Sequence, residues 1–583
     1  MPNNKNILLA TILSLIVLLS WTWFYEKPRI EAKEEIQRQA RLEQKPLVAT
    51  PQAQVATNDA AIAPKAPENQ VLTLRNRSEI LAETQNLRVA IKTNSLHGSI
   101  FLKGARLDDL TLANYFETQK KEKEVVLFSP AESKERYFTD FGFLSTNSDI
   151  ELPSPDTIWK ADGKLLSEKT PVTLSWINKQ NITFQIKISL DENYMFSFTQ
   201  TVKNNSGKEI SVAPYGRVNR VLNKLNQANY ILHEGAIGVA GGVLQEVTYK
   251  DLIEDKKFNF NDIPENGGWL GITDKYWLSS IIPDSSLSYN SNYSFGLVNQ
   301  NNLFSAEFIG AAYALAAGKS IDFNHHLFAG AKKVKLLDAY AKQYNLKLFD
   351  RAVDFGWFYF LTKPFFFIID FLNKFLGNFG LAILAMTVLI KLALFPMANK
   401  SYSAIAKIKK LQPKITQLRE RFKDDKLQLN REMMELYKRE KVNPASGCLP
   451  ILVQIPVFFA LYKVLFVTLD MRHATFYGWI QDLSAPDPTS IFNLFGLLPF
   501  EVAGFFVIGI WPILMGATMI IQQKLNPSAG DELQAKILKW MPYVLTCVLA
   551  AFPAGLVIYW TWSNVLSIAQ QYYITRKANK EKA

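Results

Sequence analysis

Long apolar runs lie near both ends of the chain, and short alternating runs fill its middle. Residues 7–25 are almost uninterruptedly apolar, and several further runs of helical length follow residue 378. About 20 apolar residues in a helix suffice to cross the hydrocarbon core of a bilayer. The pattern therefore predicts six transmembrane helices, one at the start and five near the end. The five later runs are 379–396, 449–469, 504–523, 537–552 and 555–574.

The first run, within residues 1–25, has the length and the preceding lysine of an export signal. A cleaved signal peptide is the alternative interpretation. However, no small-residue cleavage site follows, and an aromatic cluster, Trp21, Trp23 and Tyr25, ends the run as at a membrane interface. We predict an uncleaved signal anchor with a cytoplasmic N-terminus. Residues 26–70, rich in Glu, Lys, Gln, Ala and Pro, predict a flexible linker.

The middle of the chain, residues 71–342, has the period-two alternation of β-strands. Ile182–Leu190 and Met195–Val202 alternate apolar and polar residues, and turn chemistry follows at Asn204–Gly207. Many such short runs predict a large antiparallel β-sandwich, which export across the anchor places in the periplasm. No cysteine occurs in this region, which excludes a disulfide framework.

Residues 343–377 connect this domain to the helical core. Their apolar part is rich in Phe and Trp but interrupted by Lys363, Pro364, Asp370 and Lys374. This pattern favours an amphipathic segment in the outer interface over a spanning helix, which is the alternative.

A basic segment, 399–442, separates the first two spans of the core. Its apolar residues recur at coiled-coil spacing and predict an antiparallel helical hairpin. The predicted seam comprises Ile408, Leu411, Ile415, Leu418 and Phe422 in the first arm, and Leu427, Met434 and Tyr437 in the second. The hairpin is predicted to dock an anionic partner, such as ribosomal RNA or lipid headgroups. The alternative is an ordinary solvated loop.

The net charge of +12 does not indicate a DNA-binding protein, because its location is so restricted. Residues 400–441 carry 13 Lys/Arg against 6 Asp/Glu, and the tail 575–583 carries 4 against 1. Both stretches flank apolar runs, as cytoplasmic segments of membrane proteins do. The charges predict a multi-pass protein of the bacterial inner membrane with both termini cytoplasmic.

Lys391 is the candidate functional residue that the pattern singles out. It lies inside the run 379–396, where a charge costs about 2.5–3.5 kcal/mol or more unless it reaches water or a partner. Thr387 lies one turn earlier on the same face. Snorkelling to the inner headgroups is the alternative for Lys391, as it is the preferred interpretation for Lys463.

Neighbouring apolar runs also contain polar residues, among them Gln454, Gln522 and Asn564. Any one of them could simply join two helices. Together with a lone cation they predict a wet cavity within the membrane. No acidic residue lies in the middle of these runs, so Lys391 is suited to attract a negative charge from a substrate.

Several motifs resemble the YidC insertase family of Gram-negative bacteria. They are Leu411–Ile415, Met433–Lys438, Lys441–Pro450, Gln454–Pro456, Trp479–Ser484 and Phe552–Tyr559 in the helical part, with Gly267–Leu270 and Ile282–Pro283 in the large domain. The resemblance covers nearly the whole chain in the same order. It implies a five-helix core with a hydrophilic groove that inserts and folds inner-membrane proteins, alone or with the Sec translocon.

The resemblance also implies site residues and partners. The groove cation falls on Lys391, its neighbour on Thr387, a polar position on Gln454, and the groove aromatics on Tyr559 and Trp560. The implied partners are nascent membrane proteins, the Sec translocon with its accessory subunits, the ribosome and membrane lipids. Many members have Arg where this chain has Lys391, so a rigid carboxylate clamp is not expected. The apolar stretch 492–506 has no assignment.

Two other functions compete with an insertase. A transporter would use Lys391 as its coupling charge, but the core shows no repeated halves. A membrane-tethered carbohydrate enzyme would use the β-sandwich, but its scattered histidines have no catalytic motif around them. We expect no enzymatic activity, catalytic residue, metal or cofactor, and the two cysteines, Cys448 and Cys547, are interpreted as packing or surface residues.

Overall fold

The computed structural model describes residues 75–223, 232–262, 268–298, 300–356, 358–422, 425–440, 442–443, 449–496, 498, 507–525 and 532–580. The predicted signal anchor and linker, and the start of the predicted β-domain, lie outside these residues. Contacts divide the described chain into a β-rich unit, 75–356, and a helical unit, 358–466 with 470–580. A β-rich domain followed by a helical region confirms the broad fold prediction.

Within the described residues, the β-rich unit contains an 11-stranded and a 9-stranded sheet. All the strand pairs are antiparallel except β1 with β7. The strands are β1 Arg88–Lys92, β2 Leu96–Phe101, β3 Arg106–Phe116, β4 Glu124–Phe128, β5 Tyr137–Leu144, β6 Lys160–Ala161, β7 Leu165–Leu166, β8 Val172–Ile177, β9 Ile182–Leu190, β10 Met195–Asn204, β11 Ile210–Leu222, β12 Gly235–Ala240, β13 Val243–Thr248, β14 Lys257–Asp262, β15 Trp269–Thr273, β16 Trp277–Ile282, β17 Tyr289–Val298, β18 Asn301–Gly310, β19 Tyr313–Leu315 and β20 Ser320–Ala331.

The two strands read directly from the sequence, β9 and β10, pair with each other across a tight connection. Alternate residues of β9 are buried, as the period-two pattern predicts. Their aromatic side chains meet those of β5 from the other sheet. The ring centroids of Phe141 and Phe198 are 4.1 Å apart, and those of Phe143 and Phe184 are 5.0 Å apart. The core of the β-rich unit therefore lies between the sheets.

His325 on β20 is buried in this core, with 1% of its surface exposed. Its Nδ1 accepts a hydrogen bond of 3.0 Å from the Asp284 backbone N–H, and its ring lies 4.7 Å from that of Phe308. Burial disfavours the charged imidazolium and lowers the pKa of His325 to about 3. The folded β-rich unit therefore holds a neutral histidine that the unfolded chain would protonate in mild acid.

This burial predicts an acid-sensitive β-rich unit. Because the pKa of His325 is lower in the folded state, its stabilisation is complete above the unfolded pKa and falls as the pH drops below it. Between about pH 7.5 and pH 5 the loss should be about 2 kcal/mol. His325→Gln should flatten this slope in denaturant unfolding of the purified chain, followed by circular dichroism. An unchanged slope in His325→Gln would contradict the assignment. His326→Gln should flatten the slope by less, because His326 is less buried although burial lowers its pKa as well.

The helical unit follows three short helices of the β-rich unit. The helices are α1 Arg77–Glu83, α2 Tyr249–Asp255, α3 Val334–Gln343, α4 Tyr359–Leu376, α5 Phe379–Ala393, α6 Phe395–Arg421, α7 Lys426–Arg439, α8 Leu449–Val467, α9 Ile510–Leu525, α10 Glu532–Leu549 and α11 Ala554–Lys580. Short 3₁₀ turns occur at Gln85–Leu87, Phe349–Ala352, Leu469–Met471 and Ile491–Gly496.

By length and composition, none of the described helices qualifies alone as a membrane span. Helices α5 and α6 qualify only as a pair, bent by 68° between Ala393 and Phe395. The six predicted crossings therefore remain a prediction, and the first lies outside the described residues.

Helix α4 covers the apolar part of the predicted interfacial segment. It ends at Gly377, which adopts a left-handed conformation with φ of 68°. One face buries Phe366 and Ile369, whereas Phe371 and Phe375 are exposed on another. An apolar exposed face supports contact with lipid, and its interfacial position stays a prediction.

Helices α6 and α7 form the predicted hairpin. Ile408, Leu411 and Ile415 pack against Leu436 and Val442, with Leu418, Met433 and Tyr437 at the margin. The predicted seam of the first arm is thus confirmed up to Leu418. In the second arm the prediction was partly wrong, since Leu427 and Met434 are exposed. The contacts are made by the adjacent Met433 and by Leu436, because one residue on a helix rotates the side chain by about 100°.

The connection between α8 and α9 accepts hydrogen bonds from the first turns of two helices. Asp487 is 1% exposed, and its Oδ2 accepts a hydrogen bond of 3.0 Å from the Trp511 backbone N–H in the first turn of α9. Its Oδ1 accepts bonds from the Trp479 indole and from Thr489. Among the described residues no Lys or Arg pairs with Asp487, so the helix N-terminus and these donors stabilise its charge.

The same connection also accepts hydrogen bonds from the first turn of α11. The backbone carbonyl of Ala485 accepts from Ala554 N–H at 2.7 Å, and that of Leu483 accepts from Gly555 N–H at 3.0 Å. First-turn N–H groups have no partner inside their own helix. Residues 483–487 therefore tie the first turns of two helices together.

Candidate functional site: a cation among neutral oxygens

Lys391 lies in the last turn of α5, half-buried. Its Nζ donates to Ser567 Oγ on α11 at 2.8 Å and to Gln454 Oε1 on α8 at 3.4 Å. Both acceptors belong to other helices, 176 and 63 residues away in sequence. The ammonium therefore sits where three helices meet, rather than extending along its own helix toward the end.

Gln454 joins Lys391 to Tyr559. Its Oε1 faces the ammonium, and its Nε2 donates to the Tyr559 hydroxyl. This orientation of the amide is the one that electrostatics requires, because the reverse would direct its NH₂ group at a cation. Tyr559 is 1% exposed on α11. The structure thus brings three of the predicted residues, Lys391, Gln454 and Tyr559, into one network.

Ser567 is a member of this network that the sequence did not single out. It lies on a row of polar residues on α11, Tyr559, Ser563, Ser567 and Gln571, spaced by four and all buried. Its hydroxyl donates to the Ser563 carbonyl at 2.8 Å, which leaves its oxygen to accept from Lys391. The four-residue spacing in an apolar helix was the signal that could have found it.

Two predicted residues make polar contacts elsewhere. Thr387 is buried, and its hydroxyl donates to the Ile383 carbonyl of its own helix at 2.7 Å. Asn564 Nδ2 donates to Thr518 Oγ1 at 3.1 Å and joins α11 to α9. No hydrogen bond between described residues connects either one to Lys391.

The remaining predicted residues lie apart from the cation. Gln522 is half-buried on α9, one turn beyond Thr518, and no hydrogen bond among the described residues links it to Lys391. Trp560 contacts apolar side chains, and its ring centroid lies 4.7 Å from that of Phe458. It packs on a cluster formed by Met515, Met519, Leu549 and Val557. An apolar wall thus adjoins the polar network on α11.

The electrostatics of the network are unbalanced. In the part of the chain that the structure describes, no carboxylate forms an ion pair with Lys391, and its hydrogen-bond partners are the neutral oxygens of Gln454 and Ser567. Dipoles orient a cation but leave its net charge uncompensated. The described residues also contain no group of three or more His, Cys, Asp or Glu able to hold a metal. The arrangement can therefore attract an anion from outside the protein.

The Lys391–Ser567 hydrogen bond predicts a measurable coupling. Ser567→Ala removes an acceptor from a cation and should lower the free energy of unfolding by about 1.5–3 kcal/mol, as charged hydrogen bonds do. In a Lys391→Met background the same change should cost much less. Unfolding in detergent of the two single variants and the double variant measures this difference. Ser563→Ala, on the same buried row, is the matched control, and equal costs of Ser567→Ala in both backgrounds would contradict the contact.

Two family models match the chain. The one described as 60Kd inner membrane protein covers residues 371–582, and the YidC periplasmic domain covers 88–368. Among curated proteins, the membrane protein insertase YidC of Rickettsia akari is 46% identical over 99% of this chain and all of its own length. The proteins of that name from Rickettsia rickettsii strain Iowa and Rickettsia bellii are 47% and 45% identical at the same coverage.

The solved structures are more distant. A crystal structure of an active YidC insertase matches 84% of this chain and 92% of its own with 16% identity and a TM-score of 0.35. A galactose mutarotase-like protein from Lactobacillus casei matches 42% of this chain and 99% of its own, with 12% identity and a TM-score of 0.30. The family models and curated relatives, not these likenesses, identify the family.

Proposed function

The chain belongs to the YidC family of inner-membrane proteins with a periplasmic domain, and from this membership we propose that it inserts and folds other proteins in the bacterial inner membrane. The single observation that favours the mechanism is the Lys391 ammonium, coordinated by neutral oxygens of Gln454 and Ser567. A substrate carboxylate would supply the missing negative charge for a short time during passage.

In this mechanism the polar row of α11 is one side of a hydrophilic groove. Lys391, Thr387, Gln454, Gln522, Tyr559 and Asn564 are its proposed polar residues. The apolar cluster around Trp560 is the wall along which a substrate helix slides while its polar tail occupies the groove. Because a substrate is moved and no bond is broken, the proposed role is not enzymatic.

The finer topology is also part of the proposal. Both termini and the hairpin are cytoplasmic, and the β-rich unit is periplasmic, as the positive-inside rule requires. The connection fixed by Asp487 then lies at the periplasmic end and closes the groove there. Hydrogen bonds from the first turns of α9 and α11 to this connection support that role.

The proposed partners are those that the charges and family suggest. Nascent membrane proteins are the substrates, and the ribosome that makes them docks on the hairpin and the basic tail. The Sec translocon with its accessory subunits cooperates on larger substrates, and lipids surround the apolar faces. A transporter remains the rival function, and solute flux in proteoliposomes without any protein substrate would favour it.

The mechanism predicts a charge-dependent effect of Lys391 substitutions. Attraction between Lys391 and a carboxylate in a partly dehydrated groove should contribute about 1–2 kcal/mol, or roughly 5- to 30-fold in rate. Lys391→Ala should slow the insertion of substrates with acidic N-terminal tails by this factor, and Lys391→Glu by more. Lys391→Arg should work nearly as well as the parent, because the charge is retained. Insertion of a substrate series that differs only in tail carboxylates, at matched expression, measures these effects.

The control for this experiment is Lys463, a second lysine within a predicted span. Lys463→Ala should change insertion independently of tail charge. Neutralised tails should also reduce the effect of Lys391→Ala. If Lys391→Glu inserts acidic and neutral tails as well as the parent, Lys391 has no place in the mechanism, and snorkelling explains it.

Ribosome docking on the hairpin predicts a steep salt dependence. If about four phosphates are contacted, affinity should fall roughly 50-fold between about 50 and 200 mM salt. Replacing the exposed Lys407, Lys409 and Lys410 by Gln should weaken binding and reduce the slope. The opposite change, Glu420→Gln, removes an exposed acidic residue from the same helix and should strengthen binding slightly. Co-sedimentation of ribosomes with proteoliposomes measures both, and binding that is insensitive to salt would argue for an apolar contact.

A further inference from the structure

The segment before α9 exposes large apolar side chains at a position where no function has been assigned. Between Asp487 and Lys524 the sequence contains a single charged residue, Glu501. In the described part of this segment, Phe492 is 49% exposed, Leu494 53%, Phe495 47% and Leu498 40%. Four such side chains on one short turn form an apolar surface that water does not favour. We name residues 491–496 with 498 the apolar turn.

Backbone hydrogen bonds define the conformation of the apolar turn and join its start to Ile508. The Ile491 backbone N–H donates to the Ile508 carbonyl at 3.1 Å, so the two ends of the excursion meet. Within it, Phe495 N–H donates to the Ser490 carbonyl at 2.7 Å and Leu498 N–H to the Asn493 carbonyl at 3.1 Å. These bonds satisfy backbone groups locally, which a segment leaving water for an apolar medium requires.

The backbone holds the apolar side chains outward at a cost. Leu494 and Phe495 both adopt left-handed conformations, with φ of 52° and 60°. For residues other than Gly, each such conformation costs of the order of 1–2 kcal/mol. A turn that only connected helices would use Gly or Asn at these positions. The combination of strain and exposed apolar surface indicates that the side chains are stabilised by contact with something apolar.

The base of the apolar turn is attached to the helical unit. Thr489 Oγ1 accepts from the Ile510 backbone N–H at 3.0 Å and donates to Asp487, which also caps α9. The apolar turn thus projects from the first turn of α9. Further along this helix, Leu514 is 44% and Ile521 is 50% exposed. Helix α9, like the apolar turn that precedes it in the chain, therefore exposes large apolar side chains.

We propose that the apolar turn is a lipid anchor, whose Phe492, Leu494 and Phe495 insert among the acyl chains at the outer face of the inner membrane. Lipid is the favoured occupant because the apolar turn contains no charge for a polar partner to pair with, and because α9, which follows it in the chain, also exposes large apolar side chains. An amphipathic segment in this position gains stability by burying its apolar side in the interface. The proposal rests on the periplasmic location of this end of α9 in the proposed topology.

The function of such an anchor follows from its attachment. The connection that caps α9 and α11 is the same one that bears the apolar turn. Insertion of the apolar turn into lipid would therefore hold the proposed closed end of the groove at a fixed depth while substrates move past. This role is separate from the attraction of substrate carboxylates to Lys391.

The test is the depth of the apolar turn in a bilayer. A nitroxide is attached to Phe492→Cys, or in a second protein to Phe495→Cys, in the full chain with Cys448→Ser and Cys547→Ser. The protein is placed in phosphatidylethanolamine–phosphatidylglycerol vesicles. Collision with oxygen, which concentrates in lipid, should exceed collision with a water-soluble nickel chelate several-fold. Gln481→Cys, an exposed polar site on the same connection, is the control and should show the reverse.

The possible outcomes separate the proposal from its rivals. Equal access of the nickel chelate to the labels at 492 and 481 would overturn the lipid anchor. Low access to both reagents would overturn it in favour of a protein contact, and spin–spin broadening that vanishes on dilution with unlabelled chain would identify that contact as a second copy. This readout does not depend on insertion activity, so it is not affected if the proposed function fails. Phe492→Ser with Phe495→Ser should reduce oxygen access for a label at Leu494→Cys while leaving the Asp487 cap intact.

Discussion

The Lys391 ammonium, which has no anionic partner among the described residues, is the constraint on which the helical unit depends. A cation in surroundings of low polarity must be solvated by oxygens, and in this chain they come from Gln454 and Ser567 on two other helices. α5, α8 and α11 must therefore meet at one point. Tyr559 extends the same network through Gln454. The arrangement positions the charge without neutralising it, which is the condition for attracting a passing carboxylate.

The first turns of the helices impose the second constraint. Their N–H groups need acceptors, and the connection 483–487 supplies them to both α9 and α11. Asp487 is charged and buried, yet it is stabilised by a helix terminus and by neutral donors. The half-buried Lys391 and the buried Asp487 are therefore both stabilised by oriented dipoles. Lys391 makes hydrogen bonds that join three helices, and Asp487 fixes the connection that carries the apolar turn.

The β-rich unit follows a different physical rule. Its stability comes from aromatic and aliphatic side chains packed between two sheets, with rings such as Phe141 and Phe198 in contact. His325 is held neutral in that core, so acid weakens it. None of the residues predicted for the groove lies in this unit. The residues proposed to carry the function therefore all lie in the helical unit.

The sequence by itself determined the order of the β-rich and helical parts, the strands β9 and β10 and the seam of α6, and it singled out Lys391 as a candidate. Each of these follows from periodicity or from the cost of a charge in an apolar run, which are local properties of the chain. The buried face of the second arm, α7, was harder to predict from the sequence. There a difference of one residue, Met433 for Met434, changes the face that is buried.

Only the tertiary structure decided which polar residues meet. Ser567 is a partner of Lys391 across 176 residues, whereas Thr387, one turn away on the same helix face, donates to the Ile383 carbonyl of its own helix. Periodicity places a side chain on a face of its helix, but the neighbouring helix and its rotation are set by packing of the whole unit. The same reason explains Asp487, an ordinary loop aspartate in the sequence, whose capping role required α9 to begin beside it.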